Sequence, residues 1–244
     1  MTDEYRSRIY EKYAANFQDA AGVFDEAAAA AWGKAYRSYL KGWLPADREA
    51  AVVDVACGGG KLLFFFKQMG YSKVSGVEIS PDQAALARQV LPDVAQQDVL
   101  AFLEQHSTQF ELITGLDVIE HLHKAEVLRF LDGCYSALKP GGRIILQTPN
   151  ADSPWGASLR YGDFTHEVGF TPDSLARLLR LSGFQGVEAR EVGPVCFGYS
   201  AISTMRYFVW RVIQSMLKIW NVAETGSAGS GVFTRVFLIA GKKQ

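Results

Sequence analysis

After residue 50 the sequence alternates short apolar runs with amphipathic stretches, and this alternation limits the fold more than any other feature. Apolar runs predict strands at 51–56, 73–79, 94–97, 112–115 and 143–148. Helical patterns separate them at 61–69, 81–90 and 124–138, and a Lys-Pro-Gly-Gly turn at 139–142 closes the third of these helices. This order of elements predicts an α/β fold, with a mainly parallel sheet covered by helices on both faces.

The two ends of the chain carry further elements. Residues 1–45 read as a helical segment with an apolar stripe formed by Tyr5, Ile9, Tyr13 and Phe17. Toward the C-terminus we predict a helix at 172–182, a strand at 187–191, an insertion at 196–231 and a last strand at 232–240. Because 244 residues suit one large α/β domain, we assign residues 1–244 to a single domain.

A glycine-rich turn follows the first predicted strand. Residues 52–62 run from a strand through Gly58-Gly59-Gly60 into a helix, so a ligand can approach the backbone and the free N–H groups of the helix start. A phosphate-binding P-loop needs Ser or Thr where Leu62 stands. A dinucleotide fingerprint needs a third glycine where Leu63 stands. The turn therefore suits a nucleoside without a pyrophosphate.

Two acidic residues follow the next two strands. Glu78 ends the second predicted strand, where a carboxylate can accept hydrogen bonds from both ribose hydroxyls. Asp98 follows the third strand, placed to accept a hydrogen bond from the exocyclic amine of a base. Either carboxylate alone also fits a solvated residue or a helix cap, but the two at these spacings favour a nucleoside site.

The segments DVACGGG, GVEIS, QQDVL, FELITGLDVIEHL and LKPGGRIILQTPN occur in this order. Together they resemble the class I S-adenosylmethionine-dependent methyltransferases, especially the group that methylates small molecules, sugars and quinone precursors. The resemblance covers about residues 50–192, the predicted cofactor-binding core. It implies a Rossmann-like, seven-stranded mixed sheet, an N-terminal helical cap over residues 1–45, and S-adenosylmethionine as the cofactor.

The resemblance also implies the cofactor contacts. It places Asp54, Gly58 and Gly60 in the loop around the methionine part, Glu78 on the ribose, and Asp98 with the Val99 backbone on adenine. Adjacent positions of the same motifs complete the predicted set: Ala56, Cys57, Ile79 and Leu116. Ala56 departs from the family, which usually has glycine there. We expect its methyl group to tighten the loop or shift its turn without abolishing binding.

Two histidines lie where the acceptor should bind. His121 follows the fourth strand, and ligands of open parallel sheets bind at the carboxyl ends of the strands. His166 lies in a loop that, in related enzymes, closes over the acceptor. Because imidazole can take a proton near neutral pH, we predict His166 as the base, supported by His121 and Glu120. An orienting or capping role stays open for His121, and Tyr10 and Tyr13 are expected to close the pocket.

A metal site is a separate question. Asp117, Glu120 and His121 resemble the Glu-x-x-Glu-His cluster that binds magnesium in ubiquinone-pathway O-methyltransferases. Acids three residues apart can share one helix face, and magnesium prefers oxygen ligands. The same pattern is frequent in relatives without a metal, so we predict no metal here. His106 and His123 lie in polar stretches, and we assign them no role.

Residues 205–221 predict an amphipathic helix inside the C-terminal insertion. Its polar face is basic, and its other face is wide, aliphatic and aromatic. Such a helix can lie in a membrane interface, pack on a second copy of the chain, or cover its own domain. All three interpretations stay open. Residues 223–231 are rich in glycine and serine and predict a flexible hinge.

Composition narrows the class of protein. A net charge of −1 gives no general attraction to nucleic acid, and three separated cysteines without a CxxC pair indicate neither disulfides nor zinc. The N-terminus lacks the apolar core of a signal peptide, and no apolar run reaches the roughly 18 residues that span a bilayer. We therefore expect a cytoplasmic protein, with membrane association through residues 205–221 left open.

The predicted function is methyl transfer from S-adenosylmethionine to a hydroxyl oxygen of a sugar or of a small aromatic or quinone-like acceptor. The alternative is a non-catalytic S-adenosylmethionine-binding or scaffolding protein of a biosynthetic pathway. A nicotinamide-dependent oxidoreductase is disfavoured by Leu63.

Overall fold

The computed structural model describes residues 4–11, 22–195 and 199–244. Its helices are α1 (Glu4–Tyr10), α2 (Glu26–Tyr39), α3 (Lys61–Gln68), α4 (Pro81–Ala87), α5 (Val99–Glu104), α6 (Lys124–Ala137), α7 (Gly156–Arg160), α8 (Pro172–Leu181) and α9 (Ala201–Thr225). Its strands are β1 (Ala51–Val55), β2 (Lys73–Glu78), β3 (Ala95–Gln96), β4 (Phe110–Leu116), β5 (Leu138–Pro149), β6 (Gln185–Glu191) and β7 (Val236–Lys242). A 3-10 turn, Ile119–His121, follows β4.

The strands form one seven-stranded sheet in the order β3-β2-β1-β4-β5-β7-β6. The first five run parallel, and β7 is antiparallel to both of its neighbours. The predicted seven-stranded mixed sheet is confirmed. Because β1 and β4 are central and parallel, their carboxyl ends meet at one edge of the sheet, where open α/β folds bind ligands.

Helices cover both faces of the sheet, as predicted. On one face, Phe130 of α6, Leu175 of α8 and Phe184 are buried in the largest apolar cluster. On the other face, Tyr36 of α2 and Phe66 of α3 pack in a second cluster with residues of β1, β4, β5 and β7. Both clusters exclude water from β1, which explains why every residue of that strand except Asp54 is apolar.

The Lys-Pro-Gly-Gly segment is not the turn that we predicted. Residues 139–142 lie within β5 as a bulge, because Leu138 pairs with Phe110 and the ladder resumes only at Arg143, opposite Leu112. Gly141 adopts a positive φ of 80°, and its N–H donates to Lys243 O at 2.9 Å. The extra residues are thus held inside the sheet, and β5 begins directly after α6.

The last strand is shifted relative to the prediction, since it spans Val236–Lys242 rather than 232–240. The residues before it are held by side chains instead of a ladder. Asn150 Nδ2 donates to the carbonyl oxygens of Val232 and Thr234, at 2.9 and 3.0 Å. The amide of Phe233 donates to Glu191 Oε1 at 3.1 Å. Apolar content alone did not reveal these contacts.

Helix α9 is longer than the predicted helix, which spanned 205–221. Its apolar face points to solvent and not to the core of its own domain. Its side toward the domain is mostly polar, with Ser203 and Gln214 buried and Gln214 Nε2 donating to Gly231 O at 3.0 Å. Most of its large apolar side chains are exposed. The predicted hinge is shorter than expected, because residues 223–225 are helical and the helix ends at Gly226. No helix in the described part of the chain combines the length and hydropathy needed to cross a bilayer.

The N-terminal helices divide between two places. Arg6 and Tyr10 of α1 line the main cavity, whereas α2 packs on α3 and the sheet. The predicted cap over the site is therefore α1 alone among the described helices of this segment. Tyr13, Phe17 and Cys196 lie outside the described residues, and the division of the chain into cap, core and insertion stays a prediction.

Candidate active site

One cavity of about 1140 Å³ opens at the carboxyl ends of β1, β2 and β4. Its walls come from the glycine turn, the β2–α4 and β3–α5 connections, the segment after β4, and the loop around α7. Helix α1 lies over it. Predicted site residues that line this cavity are Ala56, Gly58, Glu78, Ile79, Asp98, Val99, Leu116, Glu120, His121 and His166.

The glycine turn needs the left-handed backbone region at three positions. Ala56, Gly58 and Gly60 have φ values of 56°, 50° and 87°. Gly60 also packs against α4, since a Cβ there would lie 3.0 Å from the Cα of Ala87. An L-residue in this region costs roughly 1–2 kcal/mol, so the family's glycine at position 56 has a physical reason. Ala56 carries that strain in this chain.

Glu78 is buried at the end of β2 and is held by the backbone. Its Oε2 accepts from the Gly58 amide and its Oε1 from the Ser80 amide, both at 2.8 Å. Burial raises the pKa of the Glu78 carboxyl, and these amide hydrogen bonds oppose that rise. Each carboxylate oxygen keeps acceptor capacity, which fits the two neighbouring hydroxyls of a ribose.

Asp98 lies at the cavity wall and also begins a helix. Its Oδ1 accepts from the amides of Leu100 and Ala101 at 2.9 and 3.0 Å, so it is the N-cap of α5. The capping role that we left open is therefore observed, and the contact of Asp98 with adenine stays a prediction. Ile79 is 43% exposed although it is apolar, and it lies on the same cavity wall.

Three predicted residues, Asp54, Cys57 and Gly60, do not line the cavity and instead pack against the rest of the domain. Asp54 is buried and accepts from the Thr114 hydroxyl at 2.7 Å. Burial raises the pKa of Asp54 to about 7. The Cys57 side chain points into a small apolar cluster with Leu63 and Val90, and Gly60 packs on α4. Their predicted part in cofactor binding stays a prediction.

The structure brings the three predicted catalytic residues together. Glu120, His121 and His166 each offer an atom within 4.8 Å of the others. Glu120 Oε2 accepts from the Thr148 hydroxyl at 3.0 Å, whereas Oε1 is buried and has no hydrogen-bond partner among the described residues. Burial, with a smaller contribution from Asp117, raises the pKa of Glu120 well above its ordinary value.

Hydrogen bonds fix which nitrogen of His121 carries the proton. Thr165 donates its single hydroxyl hydrogen to Asp163 Oδ1 at 2.6 Å, so toward His121 Nδ1, at 2.8 Å, it accepts. The hydrogen of the neutral ring is therefore on Nδ1, and Nε2 keeps its lone pair. Burial is the main cause that lowers the pKa of His121 to about 4, so the ring is neutral at pH 7.

His166 has the same arrangement. Its Nδ1 lies 3.0 Å from the carbonyl oxygen of Leu159, which can only accept, so the neutral ring carries its hydrogen on Nδ1. The two imidazole rings meet edge to face, with centroids 4.7 Å apart. The cavity is thus lined by two imidazoles whose Nε2 atoms each keep a lone pair.

Sequence reasoning missed the residues that orient this cluster. Thr165 and Asp163 flank the predicted base His166, but nothing in their spacing predicts a contact with His121. Asp117 accepts from Gln147 Nε2, and Gln147 Oε1 accepts from the Tyr36 hydroxyl at 2.6 Å. The contacts of Gln147 with Tyr36 and Asp117 join α2, β5 and the segment after β4, which only the folded chain brings together.

The remaining histidines stay away from the cavity. His106 stacks on Phe102, with ring centroids 4.0 Å apart. His123 begins α6 and lies 3.4 Å from Glu167. Neither lines the cavity.

The chain is similar to proteins of a known family. A family model described as a methyltransferase domain matches residues 6–189. This chain belongs to that methyltransferase family. The predicted family is confirmed, and the matched region includes most of α1, the glycine turn and the cluster of Glu120, His121 and His166.

Two individual proteins match this methyltransferase-family chain over less than half of its length. The ubiquinone biosynthesis O-methyltransferase of Pseudomonas paraeruginosa is 35% identical over 106 residues, which is 41% of this chain and 44% of that protein. A ubiquinone biosynthesis O-methyltransferase of Xanthomonas campestris is 31% identical over 107 residues, with the same coverage. The chain thus spans under half the length of these curated relatives.

Solved structures show the shared fold. A SAM dependent methyltransferase from Archaeoglobus fulgidus matches with a TM-score of 0.64 and 21% identity, covering 99% of this chain and 100% of that one. The geranyl diphosphate C-methyltransferase of Streptomyces coelicolor was solved with Mg²⁺, geranyl diphosphate and S-adenosyl-L-homocysteine. It matches with a TM-score of 0.64 and 17% identity over the whole of both chains.

The donor set does not fit the magnesium site that the sequence pattern suggested. Among the described residues, Glu120 gathers with two imidazoles, and Asp117 instead accepts hydrogen bonds from Gln147. Magnesium requires oxygen ligands, whereas imidazole nitrogen suits transition metals. The prediction that the site works without a metal stays a prediction, and no step below uses one.

Proposed function

We propose that this chain transfers the methyl group of S-adenosylmethionine to a hydroxyl oxygen of a small acceptor, a sugar or a small aromatic or quinone-like molecule. One observation carries the proposal: a single cavity is lined both by Glu78 beside the Gly58 turn and by two imidazoles whose Nε2 atoms keep their lone pairs. The first pair suits a nucleoside, and the second suits a hydroxyl group that must lose its proton.

The residues around the glycine turn would hold the cofactor. Glu78 would accept from the ribose hydroxyls, and Asp98 with the Val99 backbone would bind the adenine. Ile79 and Leu116 line the same cavity. When bound, S-adenosylmethionine supplies a methyl group on a sulfonium and leaves as a neutral thioether. The burial of Leu63 in the core supports the choice against a nicotinamide cofactor, since a bulky side chain fills the position where a dinucleotide site needs glycine.

His166 acts as the general base in this proposal. Its Nε2 takes the proton of the acceptor hydroxyl as the oxygen forms its bond to the methyl carbon and the carbon–sulfur bond breaks. His121 lies beside it, held by Thr165, and aligns the acceptor. Glu120 lies beside both rings, and its buried Oε1 has no hydrogen-bond partner in the part of the chain that the structure describes. The low pKa of His121 keeps this ring uncharged at pH 7.

Turnover of purified protein tests the proposal through release of S-adenosylhomocysteine with a panel of sugar, catechol and quinol acceptors. We expect His166→Ala to lower kcat by about 10²–10⁴ while the Kd for S-adenosylmethionine is unchanged. His106→Ala, outside the cavity, is the matched control. Unchanged turnover in His166→Ala would remove this base. Cofactor binding without turnover on any acceptor would favour a scaffolding protein.

We further propose that helix α9 contacts something outside the chain's own domain, a bilayer surface or a second copy of the chain. Its exposed apolar side chains support this. The cytoplasmic location stays a prediction.

A further inference from the structure

Helix α9 presents an apolar face to solvent along its whole length. Exposed side chains recur every three or four residues: Ile202, Met205, Val209, Val212, Met216 and Ile219. Ile219 is 69% exposed and Trp220 is 68% exposed. Monomeric proteins rarely expose so many contiguous large apolar side chains, so this face is an interaction surface.

The width of the apolar face distinguishes between two possible partners, a second copy of α9 and a lipid bilayer. A helix pair needs a narrow seam of two positions in seven. Here the flanking positions are apolar too, with Phe208, Ile213, Trp220 and Val222 exposed. At about 100° per residue, the apolar arc covers about half of the helix circumference. A face this wide suits immersion in an apolar phase better than a two-helix seam.

Charge gives a second argument. Arg206 and Arg211 are exposed and lie at opposite edges of the apolar arc, and Arg211 also donates to Gln214 Oε1 at 2.5 Å. Arginine side chains at such edges can reach lipid phosphates while their stems stay in the apolar region. The acid on the helix is Glu224, whose carboxylate accepts from Trp220 Nε1. In an antiparallel self-pairing centred on Ile213, the middle of the helix, Arg206 would lie opposite Trp220 and Arg211 opposite Ser215, so in that register neither cation meets an acid.

Exposed aromatic side chains also occur near the start of α9 and in the loop that lines the active cavity. Trp155, Tyr199 and Arg206 border one shallow groove at the start of α9. Trp155 precedes the loop that lines the cavity, and in that loop Tyr161 is 81% exposed and Phe164 is 76% exposed. Aromatic side chains of this kind are typical of a membrane interface.

We infer that the outward face of α9 docks on an anionic lipid bilayer, with the helix lying in the interface rather than crossing it. Of the two partners proposed above for α9, this is the bilayer, and the docking does not depend on methyl transfer.

Vesicle flotation of the full chain tests it, with phosphatidylcholine vesicles and with vesicles that also contain phosphatidylglycerol. We expect the chain to float, more strongly with the anionic vesicles and less at high salt. Val212→Glu with Met216→Glu should lower the bound fraction by about tenfold or more. Leu181→Glu, at an exposed leucine at the end of α8, should float like the parent chain. Arg206→Gln with Arg211→Gln should remove the preference for anionic vesicles.

Thermal melts of each variant check that these surface changes leave the fold intact. A parent chain that stays unbound with both vesicle types overturns the inference, as does flotation of the double glutamate variant at parental level. A dimer in light scattering that the double glutamate variant splits, without flotation, identifies a second copy as the occupant. Calorimetry with S-adenosylmethionine is run on the same samples, so failure of the proposed function is seen separately.

Discussion

At the residue scale, the backbone angle of Ala56 and the burial of Asp54 distinguish this cofactor loop. Ala56 has φ 56°, and Asp54 is buried with the Thr114 hydroxyl as its partner. The motif pattern showed that position 56 departs from the family, but only the structure shows the left-handed angle that gives the family its glycine. The strain at Ala56 can be tested by cofactor binding, and the burial of Asp54 can be tested by stability.

Substitution of Ala56 tests the angle. Ala56→Gly removes the strain of the left-handed region, so we expect the Kd for S-adenosylmethionine to stay within about threefold of the parent value. Ala56→Val places a β-branched residue at positive φ and should weaken binding by about tenfold or more. Calorimetry measures both. Equal binding by the valine variant would show that the loop does not need this angle.

Replacement of Asp54 by asparagine tests its burial through pH. The folded pKa of about 7 lies above the ordinary value of 3.8, so the stabilisation from protonated Asp54 is complete below pH 3.8 and is lost as pH rises to about 7. Asp54→Asn removes this titration. Relative to the parent, its free energy of unfolding should therefore rise by about 2–3 kcal/mol between pH 5 and pH 8.

Urea unfolding at the two pH values gives this difference. Asp132→Asn, at an exposed acid on α6, controls for general charge effects. A stability difference between Asp54→Asn and the parent that does not change with pH would mean that Asp54 titrates normally.

At the scale of elements, the sequence predicted the strands and core helices well because each has a strong periodic or continuous apolar pattern. It failed where long-range contacts decide the structure. The bulge at 139–142 depends on pairing across β4 and β7, and the delayed start of β7 depends on Asn150. The direction in which α9 faces follows from polar contacts such as Gln214 with Gly231, which periodicity cannot show.

Helix α1 gives a prediction at this scale, because a few polar contacts hold it over the cavity. Arg6 pairs with Glu126 of α6 at 2.9 Å and also donates to the carbonyl oxygen of His121. Arg6→Met should make amide hydrogen exchange in residues 4–11 about five- to tenfold faster. Arg8→Met, on an exposed side chain of the same helix, should leave that exchange unchanged. Equal exchange in both variants would contradict the role of Arg6.

At the scale of the whole molecule, the sheet order brings the nucleoside residues and the histidine cluster to one cavity. The motifs located Glu78, Asp98 and His121 individually, and the resemblance placed His166 in a loop over the acceptor. The carboxyl-end rule for parallel strands predicted that His121 lines the pocket. The fold adds Thr165 and Asp163, which orient His121, and the outward apolar face of α9. These additions depend on tertiary contacts between segments far apart in the chain, so no local pattern could contain them.

The central claim is that this cavity binds S-adenosylmethionine through Glu78, and isothermal titration calorimetry tests it most directly. We predict binding of S-adenosylmethionine and S-adenosylhomocysteine to the parent chain and none of NADH. Glu78→Ala should weaken binding by about 10- to 100-fold, and Glu49→Gln, at an exposed acid, should not change it. Absence of heat with S-adenosylmethionine, or equal binding by Glu78→Ala, would contradict the account.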